Sequence, residues 1–382
     1  MNSFVPSHLK DMNRLSVYRL IAKHGEISRA EISRQTGISV PTVLKIANFL
    51  VAKELVLEIG EGSSPIGRKP GLLKYNDSAY FSLGIELEGD FLTLGVVDLL
   101  GRPVALHRRR VRPDLLTILE SEVEPAVEDI IRESGARKDR ILGLGLGIPG
   151  VIDPFRSIIG FAPLVGVPES MDCEPYLSAL GSRLGFGIWL DNDVNLAAFG
   201  EYVSSGSSPS KDLLYVSLGT GLGAGVILDG KLRRGPNFSA GEIGYMGFSS
   251  DARPAKNHVG WVESRINSEA LQRRFPELGA LLAAYQDDAP AVPPSAELVA
   301  YVAGFLGLCI SNIVAVLDIE RVVLGGTIVN CLGGALFPVL TETVTRLSIH
   351  PVQCLPATSG ESGVIGAASL VTEDCMAKIL ED

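Results

Sequence analysis

Apolar positions recur at helical spacing in the first fifty residues and then give way to alternating and continuous runs. Leu15, Val17, Leu20 and Ile21 predict an amphipathic helix ending near Gly25. Ser28-x-x-Glu31 has the form of a capping box, in which Ser28 accepts from first-turn amides and Glu31 reaches back. The helix it opens, 29–36, is closed by Gly37. Ser39 is the expected N-cap of a third helix, with Pro41 in its first turn and Val43, Leu44, Ala47, Leu50 and Val51 facing inward. Helix, short turn and longer helix predict a helix-turn-helix whose second helix enters a major groove. Ser39, Val40, Thr42, Lys45 and Asn48 are left facing outward, small hydroxyls and one lysine suited to phosphates and base edges. Two short strands after Leu55 flank a loop and make a wing. Its segment Gly67-Arg68-Lys69-Pro70-Gly71 is extended and basic, a form suited to a minor groove, with a solvated linker as the plainer alternative. For the head as a whole, the alternative is a protein-binding or dimerisation module.

Beyond residue 78 the pattern changes. Phe81, Leu83, Ile85 and Leu87 alternate on one arm of a predicted hairpin and Leu92, Leu94 and Val96 on the other. A buried strand from Ile141 runs into the tight turn Gly147-Ile148-Pro149-Gly150. Trp189-Leu-Asp-Asn-Asp-Val places Asn192 and Asp193 at a strand-to-helix junction, where Asp193 alternatively caps a helix beginning at Val194. From Leu214 an apolar run breaks into Gly219-Thr-Gly-Leu-Gly-Ala-Gly225, resumes as a strand, and ends on Gly241-Glu-Ile-Gly-Tyr245. Such a glycine run lets backbone N–H groups approach a ligand closely. Val322–Thr327 and Gly363–Ala368 read as strand-turn-helix punctuation.

Composition sharpens this reading. A chain of 382 residues with 46% apolar and 20% charged positions predicts two or three packed domains. The net charge of −10 is uneven: residues 1–75 carry eleven Lys/Arg against six Asp/Glu, so a basic head sits on a strongly acidic body. That asymmetry points the head at a polyanion. Five scattered cysteines lack metal-ligand spacing and imply a reducing, cytoplasmic setting. The uncharged run Leu298–Leu317 is long enough to span a membrane. Its Gly304, Gly307, Ser311 and Asn312, and flanks Glu297 and Asp318 without basic anchors, predict a buried helix instead.

These motifs resemble the ROK family of repressors and sugar kinases, whose members share an actin-like fold. The resemblance implies a winged helix-turn-helix in the head, as in the family's repressors, and a sugar cleft in the body. It implies Gly150 in the sugar loop, Asn192 on a sugar hydroxyl and Asp193 at the position of the kinases' catalytic base. Glu242 and Glu263 align with sugar-binding glutamates. The departures carry as much meaning. The kinases' phosphate hairpin Asp-x-Gly-Gly-Thr reads Glu86-Leu87-Glu88-Gly89-Asp90, with Glu88 in place of a glycine and Asp90 in place of the threonine, and these two carboxylates where a triphosphate rests impose strong repulsion. Tyr245 replaces the family histidine and is placed to stack on a sugar ring. Leu164 replaces a hydroxyl-binding amide in Phe161–Gly166. The zinc-binding cysteines are absent from 256–263, and His258 alone cannot hold Zn²⁺.

The expectations are therefore an α/β, actin-like (ribonuclease H-like) two-lobed body behind a winged helix-turn-helix. The head spans 1–75, the first lobe 76–190 and 360–382, and the second lobe 191–359. The expected protein is a cytoplasmic transcriptional regulator, a repressor, binding a double-stranded operator through Ser39, Thr42, Lys45, Asn48, Arg68 and Lys69. Its effector is a sugar or sugar derivative. It is expected as a homodimer or homotetramer, with no metal, cofactor, membrane partner or enzyme activity. The alternative is an ATP-dependent sugar kinase with an accessory head, for which Asp193 would be catalytic.

Overall fold

The computed structural model describes residues 6–61, 71–206, 210–250, 252–253, 259–287, 289 and 293–381. The head comprises helices α1 (Pro6–His24), α2 (Arg29–Thr36) and α3 (Val40–Ala52) with strands β1 (Glu26–Ser28), β2 (Val56–Glu61) and β3 (Gly71–Tyr75). The strands form one antiparallel sheet in the order β1, β3, β2, so the wing is the β2–β3 pair. Ser28 caps α2 by accepting from the Glu31 N–H, and Gly37 ends it in the left-handed region. The reciprocal half of the capping box is missing. Glu31 turns outward to Arg34 and Gln35 instead. Ser39 has N-cap backbone geometry but makes no side-chain cap bond, because its hydroxyl pairs with that of Thr42 at 2.9 Å.

The phase of α3 also differs from expectation. Val43, Ile46, Ala47 and Leu50 are buried, whereas Leu44 is 45% exposed. A helix turning 100° per residue puts 43, 46/47 and 50 on one stripe, and Leu44 belongs to the opposite face.

The body is a duplication that the sequence does not announce. In the first lobe the strands lie in the order Gly187–Asn192, Ile141–Ile148, Phe81–Glu88, Phe91–Asp98, Pro103–Arg110. In the second lobe Gln353–Pro356, Arg321–Gly325, Leu213–Leu218, Leu222–Leu228 and Lys231–Leu232 repeat it. Each sheet is thus a three-stranded antiparallel meander whose first strand is joined by two parallel strands. Each lobe has its own core, built on the alternating and continuous apolar runs of its strands. Ala296–Leu317 and the stretch Thr327–Leu347 are long and apolar enough to cross a membrane by composition. Here the first packs inside the second lobe, with Leu298, Val302, Leu306 and Ile310 fully buried.

The lobes are joined by exchanged helices. Asp193–Ser204 leaves the first sheet and packs on the strands Leu213–Leu218 and Leu222–Leu228 of the second. Ser362–Glu381 leaves the second sheet and packs on the first, where a Cβ at Gly84 would lie 2.0 Å from the Val364 carbonyl oxygen. The two helices touch backbone to backbone: a Cβ on Gly200 would lie 2.0 Å from the Ser362 carbonyl, and one on Gly366 1.7 Å from that of Leu196. Beside this crossing the buried Glu201 accepts from the Thr358 N–H (2.8 Å), the Thr358 hydroxyl (2.7 Å) and the Ser362 hydroxyl (2.5 Å). A buried carboxylate with three donors is satisfied and fixes the start of the last helix.

That last helix is 20 residues long, about 30 Å at 1.5 Å per residue. It begins between the lobes and ends in the head. Met376 and Leu380 join the head's core with Val17, Ile21, Leu50 and Leu73. Arg14 of α1 is 7% exposed. It donates to the Leu380 carbonyl at 2.8 Å and the Glu381 carbonyl at 3.1 Å, and it stacks 3.7 Å above the Phe49 ring of α3. A guanidinium is well suited to the open carbonyls at a helix C-terminus.

Candidate functional site: the interlobe cleft and the head

A cavity of about 930 Å³ lies between the lobes. The first lobe contributes Pro149–Val151, Phe161–Leu164, Asn192 and Asp193, and the second Gly219–Gly223, Glu242, Tyr245 and Glu263. All six residues expected at an effector therefore line one space. Their local roles differ from one another.

Asn192, not Asp193, is the N-cap of the helix Asp193–Ser204, its Oδ1 accepting from the Asn195 N–H at 2.8 Å. Its Nδ2 donates to the Gly150 carbonyl (2.9 Å) and to Asp193 Oδ1 (3.0 Å). Both ends of that amide are engaged, so Asn192 chiefly positions the Gly150 turn and Asp193. A Cβ at Gly150, where φ is +128°, would lie 2.4 Å from the Phe161 carbonyl, so this turn requires glycine. Asp193 Oδ1 also accepts from the Val194 N–H at 2.9 Å, leaving Oδ2 as its face toward the cavity. Glu263 is half committed, its two oxygens accepting from the Leu222 N–H (3.2 Å) and the Gly260 N–H (3.3 Å). Among the described residues Glu242 has no such bond, and it and Asp193 Oδ2 are the free acceptors of the floor.

The carboxylates crowd one another. Burial, followed by Glu88 and Glu242, pushes the Asp193 carboxyl up to about 7. Burial and then Glu263 raise Glu242, and burial raises Glu263. Burial, then Glu88, Asp193 and Glu361, lifts Glu86 well above the carboxylate range. An acid whose folded pKa is raised binds more protons folded than unfolded, so its stabilising contribution is full at low pH and is lost as pH rises through the folded value. The thermal midpoint is therefore expected to fall as pH rises from the ordinary carboxylate range through about 7. Asp193→Asn removes the part of that fall that runs from the ordinary aspartate range and ends near 7, and a profile unchanged by this substitution contradicts the assignment.

Behind the floor a second space of about 120 Å³ is bounded by Glu86, Glu88, Arg108, Gly325, Gly326 and Glu361. This is the place of the phosphate hairpin. Glu88 fills it from the first lobe: its Oε1 accepts from the Thr327 N–H at 3.2 Å and the Thr327 hydroxyl at 2.5 Å. Thr327 opens the helix Thr327–Leu332 of the second lobe, so a carboxylate occupies the amide on which a phosphate would rest. Asp90 departs from the expected picture. It is exposed and pairs with Arg110 at 3.5 Å on the edge strand, away from the cleft. The two obstructing acids are Glu88 and Glu86.

Sequence reasoning missed Arg234. Its Nε and Nη2 reach Asp191 Oδ2 at 2.9 and 2.5 Å, tying the second lobe to a buried carboxylate at the end of a first-lobe strand. Asp191 was visible in the acidic cluster; its partner lies 43 residues on and became legible only with the lobes assembled. Among the described residues no group of three His, Cys, Asp or Glu side chains could hold a metal ion. His258 lies outside the described residues.

In the head, Ser39, Lys45 and Asn48 are exposed and Thr42 is partly so, on the outer face of α3. Val40, expected outward, is 55% exposed, and the structure adds Leu44 (45%) one turn further along that face. An exposed apolar pair at the start of such a helix suits thymine methyl groups. Arg68 and Lys69 lie outside the described residues.

Comparison with known proteins agrees with this anatomy. Residues 82–374 match the ROK family and residues 11–56 a winged helix-turn-helix DNA-binding domain. The chain is 26% identical to the xylose repressor of Bacillus subtilis (strain 168) over 377 residues, 96% of each protein. It is 30% identical to the xylose repressor of Caldicellulosiruptor bescii over 270 residues, 69% of this chain and 65% of that protein. Its fold is similar to the crystal structure of a ROK family transcriptional regulator, a homolog of the E. coli MLC protein, with a TM-score of 0.76, 20% identity and 98% of both chains covered.

Proposed function

The chain belongs to the ROK family and carries a winged helix-turn-helix ahead of the family's body; from that premise we propose a transcriptional repressor whose grip on an operator is set by a sugar or sugar derivative in the interlobe cleft. The observation that carries this reading is the helix Ser362–Glu381. It starts at the cleft, where Ser362 and Gly363 bound the inner space, and ends in the head's core. Arg14 connects its last carbonyls to Phe49 on the DNA-facing helix. A ligand that prefers one lobe arrangement therefore biases the setting of the head. Asp193 and Glu242 would take the sugar hydroxyls, Glu263 and Asn192 would hold the loops around them, and Tyr245 would cover a ring face.

The reading as a binding protein and not a kinase rests on Glu88. An ATP phosphate would have to displace its carboxylate from Thr327 and then sit beside Glu86. Two heads on a two-fold operator require at least a dimer, and a DNA-bound protein works in the cytoplasm.

The full-length protein is expected to bind double-stranded DNA from its own upstream region with steep salt dependence, and a sugar is expected to change that affinity. Lys45→Ala should weaken binding to all sequences and lower the salt slope by about one. Gel-shift or anisotropy titrations at several salt concentrations measure both; binding that is absent, or indifferent to salt, removes the regulator reading.

A further inference from the structure

Backbone termini that face the cleft already carry acceptors of the protein's own. Glu88 takes the Thr327 N–H and Glu263 those of Leu222 and Gly260. Asp193 takes the Val194 N–H and Asn192 that of Asn195. Inside the glycine turn the Gly219 N–H returns to the Gly221 carbonyl at 3.0 Å. Such amides are the donors on which a phosphate or carboxylate ligand would rest. Among the described residues no lysine, arginine or histidine lines the cavity, whereas Glu88, Asp193, Glu242, Glu263 and Glu269 do. Among the described residues an anionic ligand would meet these carboxylates with no lysine, arginine or histidine of the lining to offset the repulsion.

The opposite wall has another chemistry. Val151, Phe161, Pro163 and Leu164 of the first lobe face the same space, and Leu164 is 49% exposed. At about 930 Å³ the cavity lies at the upper end of ligand pockets, roughly 300–1,000 Å³, and exceeds what one sugar ring fills. A bare ring seated on Asp193 and Glu242 would leave that apolar wall in water, while an apolar substituent on the ring would cover it.

We infer that the effector is an uncharged glycoside, with its sugar ring at Asp193 and Glu242 and an aryl or alkyl aglycone against Phe161–Leu164, and that phosphorylated sugars are excluded. This rests on the sugar-sensor reading of the same cleft and narrows it. Leu164, at the place of a hydroxyl-binding amide in sugar-binding relatives, becomes the residue that selects the aglycone.

The test is calorimetric titration and thermal shift of the full chain against both anomers of p-nitrophenyl glucoside and xyloside, free glucose and xylose, and glucose 6-phosphate. An aryl glycoside is expected to bind about tenfold or more tightly than its parent sugar, and glucose 6-phosphate to leave the melting curve unmoved. Leu164→Asn, a change at an exposed position, is expected to weaken the glycoside more than the parent sugar and bring the ratio toward one. A parent sugar that binds as tightly as its glycosides, or binding of glucose 6-phosphate, overturns the inference and leaves the sensor reading standing. Silence from every sugar and glycoside overturns both.

Discussion

Gly366→Ala is expected to destabilise the protein by more than about 4 kcal/mol, whereas Gly304→Ala should stabilise it by roughly 0.5–1 kcal/mol. The chemistry is the same, one methyl group added inside a helix. At Gly304 nothing lies within 4 Å of the new Cβ, and the gain is the lower backbone entropy of alanine in the unfolded chain. At Gly366 the Cβ would lie 1.7 Å from the Leu196 carbonyl oxygen, 2.6 Å from its carbon and 2.8 Å from the Gly200 nitrogen. All three are backbone atoms of a packed helix, so no side-chain rotation relieves the clash. The helices Asp193–Ser204 and Ser362–Glu381 would have to separate, breaking the Glu201 network and the contact of the last helix with the first sheet. Chemical denaturation of the two variants beside the parent protein measures the contrast. Equal midpoints for Gly366→Ala and the parent would mean that the exchanged helices do not meet in this way.

Leu380→Asp is expected to abolish DNA binding, by a factor of 100 or more on the order of the cost of burying an unpaired charge, while sugar binding persists. Leu380 is 2% exposed and packs into the head's core although it lies at the end of the body's last helix. A carboxylate there loses the apolar packing of Leu380 and opposes the negative end of the helix dipole, and the one guanidinium nearby, Arg14, is already committed to the Leu380 and Glu381 carbonyls. The head must either release the helix or unfold. The cleft, formed by residues at the other end of that helix, keeps its lining. DNA titration and ligand thermal shift on the same preparation separate the two outcomes. Undiminished DNA affinity would show that the head does not need its graft onto the body, and the coupling proposed above would lose its route.

The candidate site was legible to different depths. Asn192, Asp193, Glu242, Tyr245 and Glu263 were readable because each sits in a short motif, and the fold brings them to one cavity. Their division of labour was not readable. Asn192 and Glu263 spend hydrogen bonds on Gly150, Asn195, Leu222 and Gly260, partners set by loop geometry. Asp90 looked equivalent to Glu88 because both replace hairpin residues. Residues two apart on a strand share a face, but Gly89, with φ +60°, turns the chain between them and carries Asp90 out to Arg110. In α3 an apolar residue at 44 suggested core, and the helical phase set by Val43, Ile46, Ala47 and Leu50 put it in solvent.

By itself the sequence determined what short-range chemistry controls. The helix-turn-helix follows from the Ser28 cap, the left-handed Gly37 and the apolar stripe of α3. The hairpin and the glycine turn follow from alternation and from residues that tolerate unusual backbone. The acidic body and basic head follow from counting. Tertiary structure alone decided the duplicated sheets, the exchanged helices, the Arg234–Asp191 tie and the clasp between Glu88 and Thr327, which are 239 residues apart. The physical reason is common to all four. Hydrogen bonds and backbone contacts act within a few ångströms, so distant segments show no mark of their partners until burial of the two cores has brought them together.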